Sequence, residues 1–309
     1  MLTLTTNIKE ASCITHCGKM HADEVFATAF LELLKENIVV IRVPSVDFNS
    51  IREDAIVYDI GLKEFDHHQP DNKKRPNGIP YCSFGLLWKE FGRKYLKENK
   101  IDDYEDVFER FDKDLVEQID ADDNGIFPKI EAQCKVKTLS SIIDLFNPGY
   151  DSNEDESKQF KKAVLLAKEI IEEELSNIIG KVKAKKKITN IIKNNNEEIL
   201  VLDEYIPYLE TLLELDPEEK IKLAVFPSNR GGYNVKTIPK GIADQTYRVP
   251  FPKNWAGLTD EGLEKESKIK GAMFCHNKLF IATAKDKDSA IKLAKKALDI
   301  YNEDNKNID

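Results

Sequence analysis

Three short apolar runs in the first 61 residues constrain the fold more than any other feature: SCITH (12–16), NIVVIRVP (37–44) and DAIVYDIG (54–61). Gly18 follows the first run, Pro44 ends the second and Gly61 closes the third. Apolar residues at consecutive rather than alternating positions suit strands covered on both faces, as in parallel sheets. Between the first two runs, Val25, Phe26, Ala29, Phe30 and Leu33 recur at helical spacing and predict a helix over 23–36. Strands that alternate with helices in this way predict an α/β fold built on a parallel sheet.

The loop QPDNKKRPNGIP, dense in Pro, Asn and Gly, precedes two predicted amphipathic helices over 83–98 and 103–120. A shorter helix over 139–149 is stopped by Pro148 and Gly149. The polar stretch DSNEDESKQ (151–159) reads as a domain boundary, and a charged helix follows over 158–193, with Gly180 as a candidate break. Beyond NNNEE the pattern turns to strands: ILVLD (199–203), KLAVFPS (222–228), GYNVKTIP (232–239) and TYRVPF (246–251). AMFCH and LFIAT follow, paired about Asn277–Lys278, with a closing helix over 288–301. The expected organisation is a metal-binding domain with a parallel sheet over 1–150, a helical linker over 151–196 and a smaller α+β domain over 197–309.

The five histidines are not scattered. His16 and His21 stand at the end of the first strand and the start of the helix, and His67 and His68 lie in FDHHQPD just after the third strand. Aspartates accompany them: Asp23, then Asp59 at a strand end, then Asp66, and then Asp120, Asp122 and Asp123 in IDADDNG. Loops that leave the carboxyl ends of parallel strands converge on one cleft. A mixed set of imidazoles and carboxylates suits Mn²⁺, Fe²⁺ or Zn²⁺ better than Ca²⁺, and there are ligands enough here for two ions. The competing reading makes Asp23 a first-turn helix acid and Asp120 and Asn124 turn formers, beside unrelated histidines.

Composition bounds the partners. With 41% hydrophobic and 33% charged residues the chain belongs to the folded globular class. Its formal charge of −9 means that only a local patch or a bound metal can attract a polyanion. Lys73, Lys74 and Arg75, directly after the histidine pair, are such a patch. The five cysteines include one close pair, a C-x3-C, which points to a reducing compartment rather than a disulfide framework. No run approaches the roughly 18 apolar residues of a membrane span. The expected location is the cytoplasm, with the nucleus left open.

THCGKMHADE, VYDIG, FDHHQ, CSFGLLW, IDADDNG, YRVPFPKNWAGLTDEGL and GAMFCH occur in this order along nearly the whole chain. In that order and wording the sequence resembles the melanocyte-proliferating-gene (Myg) branch of the DHH phosphoesterase superfamily. The resemblance implies a metal-binding domain followed by a domain that holds substrate. It makes His16, Asp23 and His67 ligands, Asp59 a bridging ligand and Asp120 the last ligand, with Asp123 close behind. His21, a further ligand, stands where the superfamily has an aspartate, which removes a negative charge. His68 would face the scissile phosphate and Asp66 would orient the histidines. In the second domain, CHNKLFIATAK lacks the glycines expected of a substrate-gripping segment. His276 and Arg230 are substrate-contact candidates there, weighed against a hairpin tip and a plain turn in SNRGGYN.

The resemblance implies a metal-dependent phosphodiesterase, a 3′→5′ exonuclease on RNA or short single strands. Two Mn²⁺ ions, or Mg²⁺ or another divalent ion, would activate water. A hydrolase of nucleotides, dinucleotides or pyrophosphate is the alternative among enzymes. A metal-bound regulatory module without turnover is the alternative outside them.

Overall fold

The structure, a computed structural model, describes residues 1–242 and 246–306. The chain divides into two units, Met1–Val182 and Lys183–Asp309. The first unit opens with strand β1 (Leu2–Leu4), strand β2 (Cys13–His16), helix α1 (Ala22–Leu34), strand β3 (Ile38–Val43) and strand β4 (Ile56–Val57). Helices α2 (Ser83–Glu98), α3 (Tyr104–Phe111), α4 (Glu117–Asp123) and α5 (Leu139–Ile143) follow, and then the long helix α6 (Glu156–Lys193), within which the division between units falls.

The four strands pair in the order β1-β3-β2-β4, all parallel, with Ile14 opposite Ile41 and Val57. Helices cover one face. Phe26 of α1 lies 5.7 Å from Phe84 of α2, and Phe30 meets Trp88 edge-on at 5.3 Å. Such ring pairs add about 0.5–1.5 kcal/mol each beyond the area they bury. Phe160, Val164 and Ile171 of α6 extend this core. On the other face Ile14, Ile41 and Val57 are closed over by Ile8, Ala11, Val46 and Ile51 from irregular segments. No helix of the described chain lies between β3 and β4, so residues 44–55 can only turn across that face.

In the second unit, strand β5 (Ile199–Val201), helix α7 (Leu209–Leu215), strand β6 (Leu223–Pro227) and strand β7 (Tyr233–Thr237) precede helix α8 (Asp260–Ser267). Strand β8 (Ala272–Cys275), strand β9 (Ile281–Ala284) and helix α9 (Lys287–Lys306) complete it. The sheet runs β5-β6-β7-β9-β8, parallel only at β5–β6. Val225, Val235 and Ala282 on one face form a core with Leu293 and Ala297 of α9. Ala224 and Phe226 on the other pack with Ile188, Ile192 and Leu212.

Several expectations change. The third run forms only two residues of strand before Tyr58 bridges to Phe65 and Asp59 turns left-handed at φ 55°, a conformation that aspartate tolerates better than most residues. The helix expected over 103–120 continues to Asp123 and contains a wide π turn at Asp112–Val116. Gly180 does not interrupt α6. TYRVPF is not a strand: a single bridge ties Tyr247 to Pro239, and Pro250 has no N–H to give a ladder. Helices α7 and α8 escaped the sequence reading. No helix among the described residues is long and apolar enough to cross a membrane.

Candidate metal centre

The end of β2, the start of α1, the turn after β4 and the end of α4 meet at one cleft of about 840 Å³, lined by His16, His21, Asp59, His67, His68 and Asp123 among others. The volume is that of a small-ligand site. Asp59 is its centre. His16 Nε2 lies 3.1 Å from Asp59 Oδ2, and His67 Nε2 lies 3.2 Å from Oδ1. His67 Nε2 is also 3.3 Å from Asp123 Oδ2 and 3.6 Å from Asp23 Oδ2. Glu24 Oε1 lies 3.5 Å from His16 Nε2.

Local structure fixes each of these groups. Asp23, fully buried, accepts the N–H groups of Ser83 (3.1 Å) and Phe84 (2.7 Å) at the start of α2. These bonds join two helices and hold the carboxylate within 3.6 Å of His67 Nε2. Glu24 accepts the His21 N–H at about 3 Å, the reciprocal half of a helix capping box, while its carboxylate also faces His16. His16 Nδ1 sits 3.0 Å from the Cys17 carbonyl, so its Nε2 points inward. Asp66 accepts the N–H of Leu62 (2.6 Å) and of His68 (3.1 Å), and it holds His68 Nδ1 at 2.7 Å.

Electrostatics mark the site as one that draws positive charge. Burial acts to raise the pKa of Asp59, but His16 and His67 overcome it and hold the carboxyl at about 2. Burial likewise opposes the imidazolium forms, yet Asp59 and Glu24 raise His16 to about 11, and Asp59, Asp23 and Asp123 raise His67 to about 9. Asp23 is pushed well above the carboxylate range by burial and by Asp59 and Asp123. Asp123 is pushed up by burial, with Asp59 and Glu24 acting in the same direction. Carboxylates crowded so closely cannot all ionise without cations. The buried Asp59 Oδ1 makes no well-aligned hydrogen bond, although His67 Nε2 lies 3.2 Å from it.

Donor atoms within 4.8 Å of one another form three sets: His16, His21, Glu24 and Asp59; Asp59, His67 and His68; and Asp23, His67 and Asp123. Asp59 belongs to the first two and His67 to the last two. Such groups of imidazoles and carboxylates fit divalent metal.

The structure brings His16, His21, Asp23, Asp59, His67 and Asp123 together, with Asp66 behind His68. It places Asp120 elsewhere. Asp120 is fully buried, and its Oδ2 accepts Arg75 Nε at 2.7 Å and its Oδ1 the Cys82 N–H at 3.0 Å. Of the three basic residues, Lys73 and Lys74 are exposed, whereas Arg75 turns inward to Asp112 and Asp120 beneath the Tyr81 ring. Arg75 thus ties its loop to α4 and is not offered to a polyanion. His276 and Arg230 lie in the second unit. His276 Nδ1 accepts the Lys278 N–H at 3.0 Å in the β8–β9 turn, and Arg230 is exposed in the β6–β7 turn. Glu24 was missed by sequence reasoning. The signal was present in HADE, where an acid at the third helical position looks like a cap.

Gly85 explains the glycine of CSFGLLW. A Cβ there would meet Asp120 Oδ1 at 2.2 Å, and Asp120 is locked by Arg75 and Cys82. Gly85→Ala is therefore expected to destabilise the protein by about 1–3 kcal/mol through overpacking. A shift of the urea midpoint at unchanged m-value checks it, and an unshifted midpoint counts against a rigid Asp120.

A model of the MYG1_exonuc family, described as an uncharacterised protein family (UPF0160), matches residues 12–298. The MYG1 protein of Saccharomyces cerevisiae is 30% identical, over 96% of this chain and 97% of its own length. The MYG1 protein of Dictyostelium discoideum is 27% identical over 94% and 97%, and the MYG1 exonuclease of Homo sapiens 26% identical over 92% and 85%. No solved structure matches.

Proposed function

The chain belongs to the MYG1_exonuc family, and from that membership and its convergent histidines and aspartates we propose a metal-dependent phosphodiesterase of DHH type, acting as a 3′→5′ exonuclease on RNA or short single strands. One observation carries the reading: the buried Asp59 carboxylate stands between the inward Nε2 atoms of His16 and His67, 3.1 and 3.2 Å from its two oxygens. Relatives bearing the name MYG1 exonuclease, from human and mouse, support the nuclease assignment.

His16, His21, Glu24 and Asp59 would hold one ion, and Asp59, His67, Asp23 and Asp123 the other, with Mn²⁺ the first choice for this donor set. Bound there, two such ions supply Lewis acidity to the phosphoryl group and a water of lowered pKa. The protein's share is positioning. Asp59 fixes the separation of the two donor sets. Asp66 takes His68 Nδ1, which leaves Nε2 of this exposed ring to meet a phosphate oxygen as charge develops. Ions bound among these carboxylates would also add positive charge where the phosphate arrives.

The inward turn of Arg75 leaves Lys73 and Lys74 as the exposed cations of their loop, and this favours a short substrate over a long strand. Incubation with end-labelled single-stranded RNA, a dinucleotide and pyrophosphate, with Mn²⁺ or with chelator, tests the reading. Mononucleotides released stepwise from the 3′ end, and none with chelator, are expected. Cleavage of the dinucleotide or pyrophosphate alone would leave a metal hydrolase and discard the exonuclease. No metal-dependent turnover of any substrate discards both.

A further inference from the structure

A second cavity, of about 590 Å³, adjoins the metal cleft and shares Asp122, Phe127, Thr138 and Ser140 with it. Its character is different. Ile119, Ile126, Ile130, Val136, Leu139 and Ile142 make it apolar, and its charged members, Glu117, Asp122 and Lys137, do not form an anion site. Ile126, Phe127, Ile130 and Val136 stand 44%, 67%, 55% and 54% exposed on a segment with neither helix nor strand. Apolar side chains grouped in this way beside a reactive centre mark a binding surface.

We infer that this basin holds the base of the nucleotide whose phosphate lies at the metal centre, with the Phe127 ring as its stacking platform. The inference rests on the phosphodiesterase reading and adds where the rest of the substrate goes. A ligand that fills both cavities must join an anionic phosphoryl group to a flat, neutral and largely apolar body within a few bonds. A nucleotide has that form. An apolar peptide would fill the basin, but nothing in it would account for the wall shared with an acid- and histidine-lined cleft. Phe127 stands in that wall, and the hydroxyls of Thr138 and Ser140 beside it can pair with ribose or with a base edge. Stacking reads the face of the ring rather than its edge, so the basin accepts any base.

The test is calorimetric titration of the Mn²⁺-loaded protein with adenosine 5′-monophosphate and with ribose 5-phosphate, for the wild type, Phe127→Ala and Phe127→Tyr. Wild type is expected to prefer the nucleotide by about tenfold, near the low end of what one base–aromatic stack provides. Phe127→Ala should lose most of that preference and Phe127→Tyr keep it, with ribose 5-phosphate binding alike to all three. Phe127 is exposed, so melting temperatures should agree. Equal affinity for the two ligands, no binding of either, or a preference that survives Phe127→Ala overturns the inference. A mass that doubles with concentration and reverts in Phe127→Ala, without ligand preference, also overturns it and assigns the surface to a second copy. Metal-dependent RNA cleavage beside equal affinity for adenosine 5′-monophosphate and ribose 5-phosphate would sink the basin alone, whereas a preference for the nucleotide without cleavage of any substrate would sink the hydrolase reading alone.

Discussion

Asp59→Asn is expected to lower kcat/KM for phosphodiester cleavage by at least about 10³-fold, a loss of about 4 kcal/mol in transition-state stabilisation. The substitution keeps the shape and removes the charge. His16 and His67 hold Asp59 ionised in the fold, so the variant also gives up some metal-free stability, and a melting curve beside each assay checks that it is folded. The loss of rate falls on the donor sets that meet at this carboxylate, around His16 on one side and His67 on the other. Metal stoichiometry is the second readout: two ions per chain for wild type and at most one for Asp59→Asn. His68→Asn provides the contrast. Its ring is 59% exposed and anchored through Nδ1 to Asp66, so the variant should retain both ions and lose rate. Activity of Asp59→Asn within tenfold of wild type would remove Asp59 from the mechanism, and loss of ions in His68→Asn would make His68 a ligand.

How much of this was legible in the sequence follows from geometry. His16, Asp59 and His67 could be found because parallel strands bring their carboxyl ends together, so sequence order maps onto one cleft. Glu24 was hidden because one carboxylate has two tasks: it caps its helix through the His21 N–H and faces His16. A capping residue looks the same in sequence whether or not it has a second partner. Arg75 was misjudged for a related reason. Three consecutive cations read as a solvent-facing patch, and only the fold brings Asp112 and Asp120 to the third of them. The strand ending at Asp59 was drawn too long because apolar pattern does not register the left-handed turn there. In the second unit TYRVPF has strand composition, but Pro250 denies it a ladder.

Asp120 and Asp123 are the sharpest case, and they should give opposite signatures on truncation. A wide turn at Asp112–Val116 advances the phase of everything after it, so helical spacing counted from α3 cannot tell which aspartate of IDADDNG faces the cleft. Asp123 does, 3.3 Å from His67, while Asp120 pairs with Arg75 in the interior. A carboxyl whose pKa is raised by folding costs stability once the pH passes its ordinary value. Asp123 is raised by burial and by Asp59 and Glu24, so at neutral pH and without added metal Asp123→Ala should melt at or above the wild-type temperature. Its metal affinity and turnover should fall, by about 10²-fold or more, since second-sphere changes alone cost 10–100-fold. At Asp120 the partners pull in different directions. Burial lifts the carboxyl to about 6 even against Arg75, while Asp112 and Asp120 outweigh burial and raise Arg75. Such a pair gains little over an apolar one, but removal of one member strands the other. Asp120→Ala also deprives the Cys82 N–H of its acceptor. Arg75 keeps Asp112, so a loss near the low end of the usual range is expected, about 3 kcal/mol. For a unit of this size that lowers the melting temperature by roughly 6–12 °C. Parallel melts and metal titrations of the two variants decide the matter. A stable Asp120→Ala that no longer binds metal, beside an unstable Asp123→Ala that does, would exchange their roles and return the last ligand to Asp120.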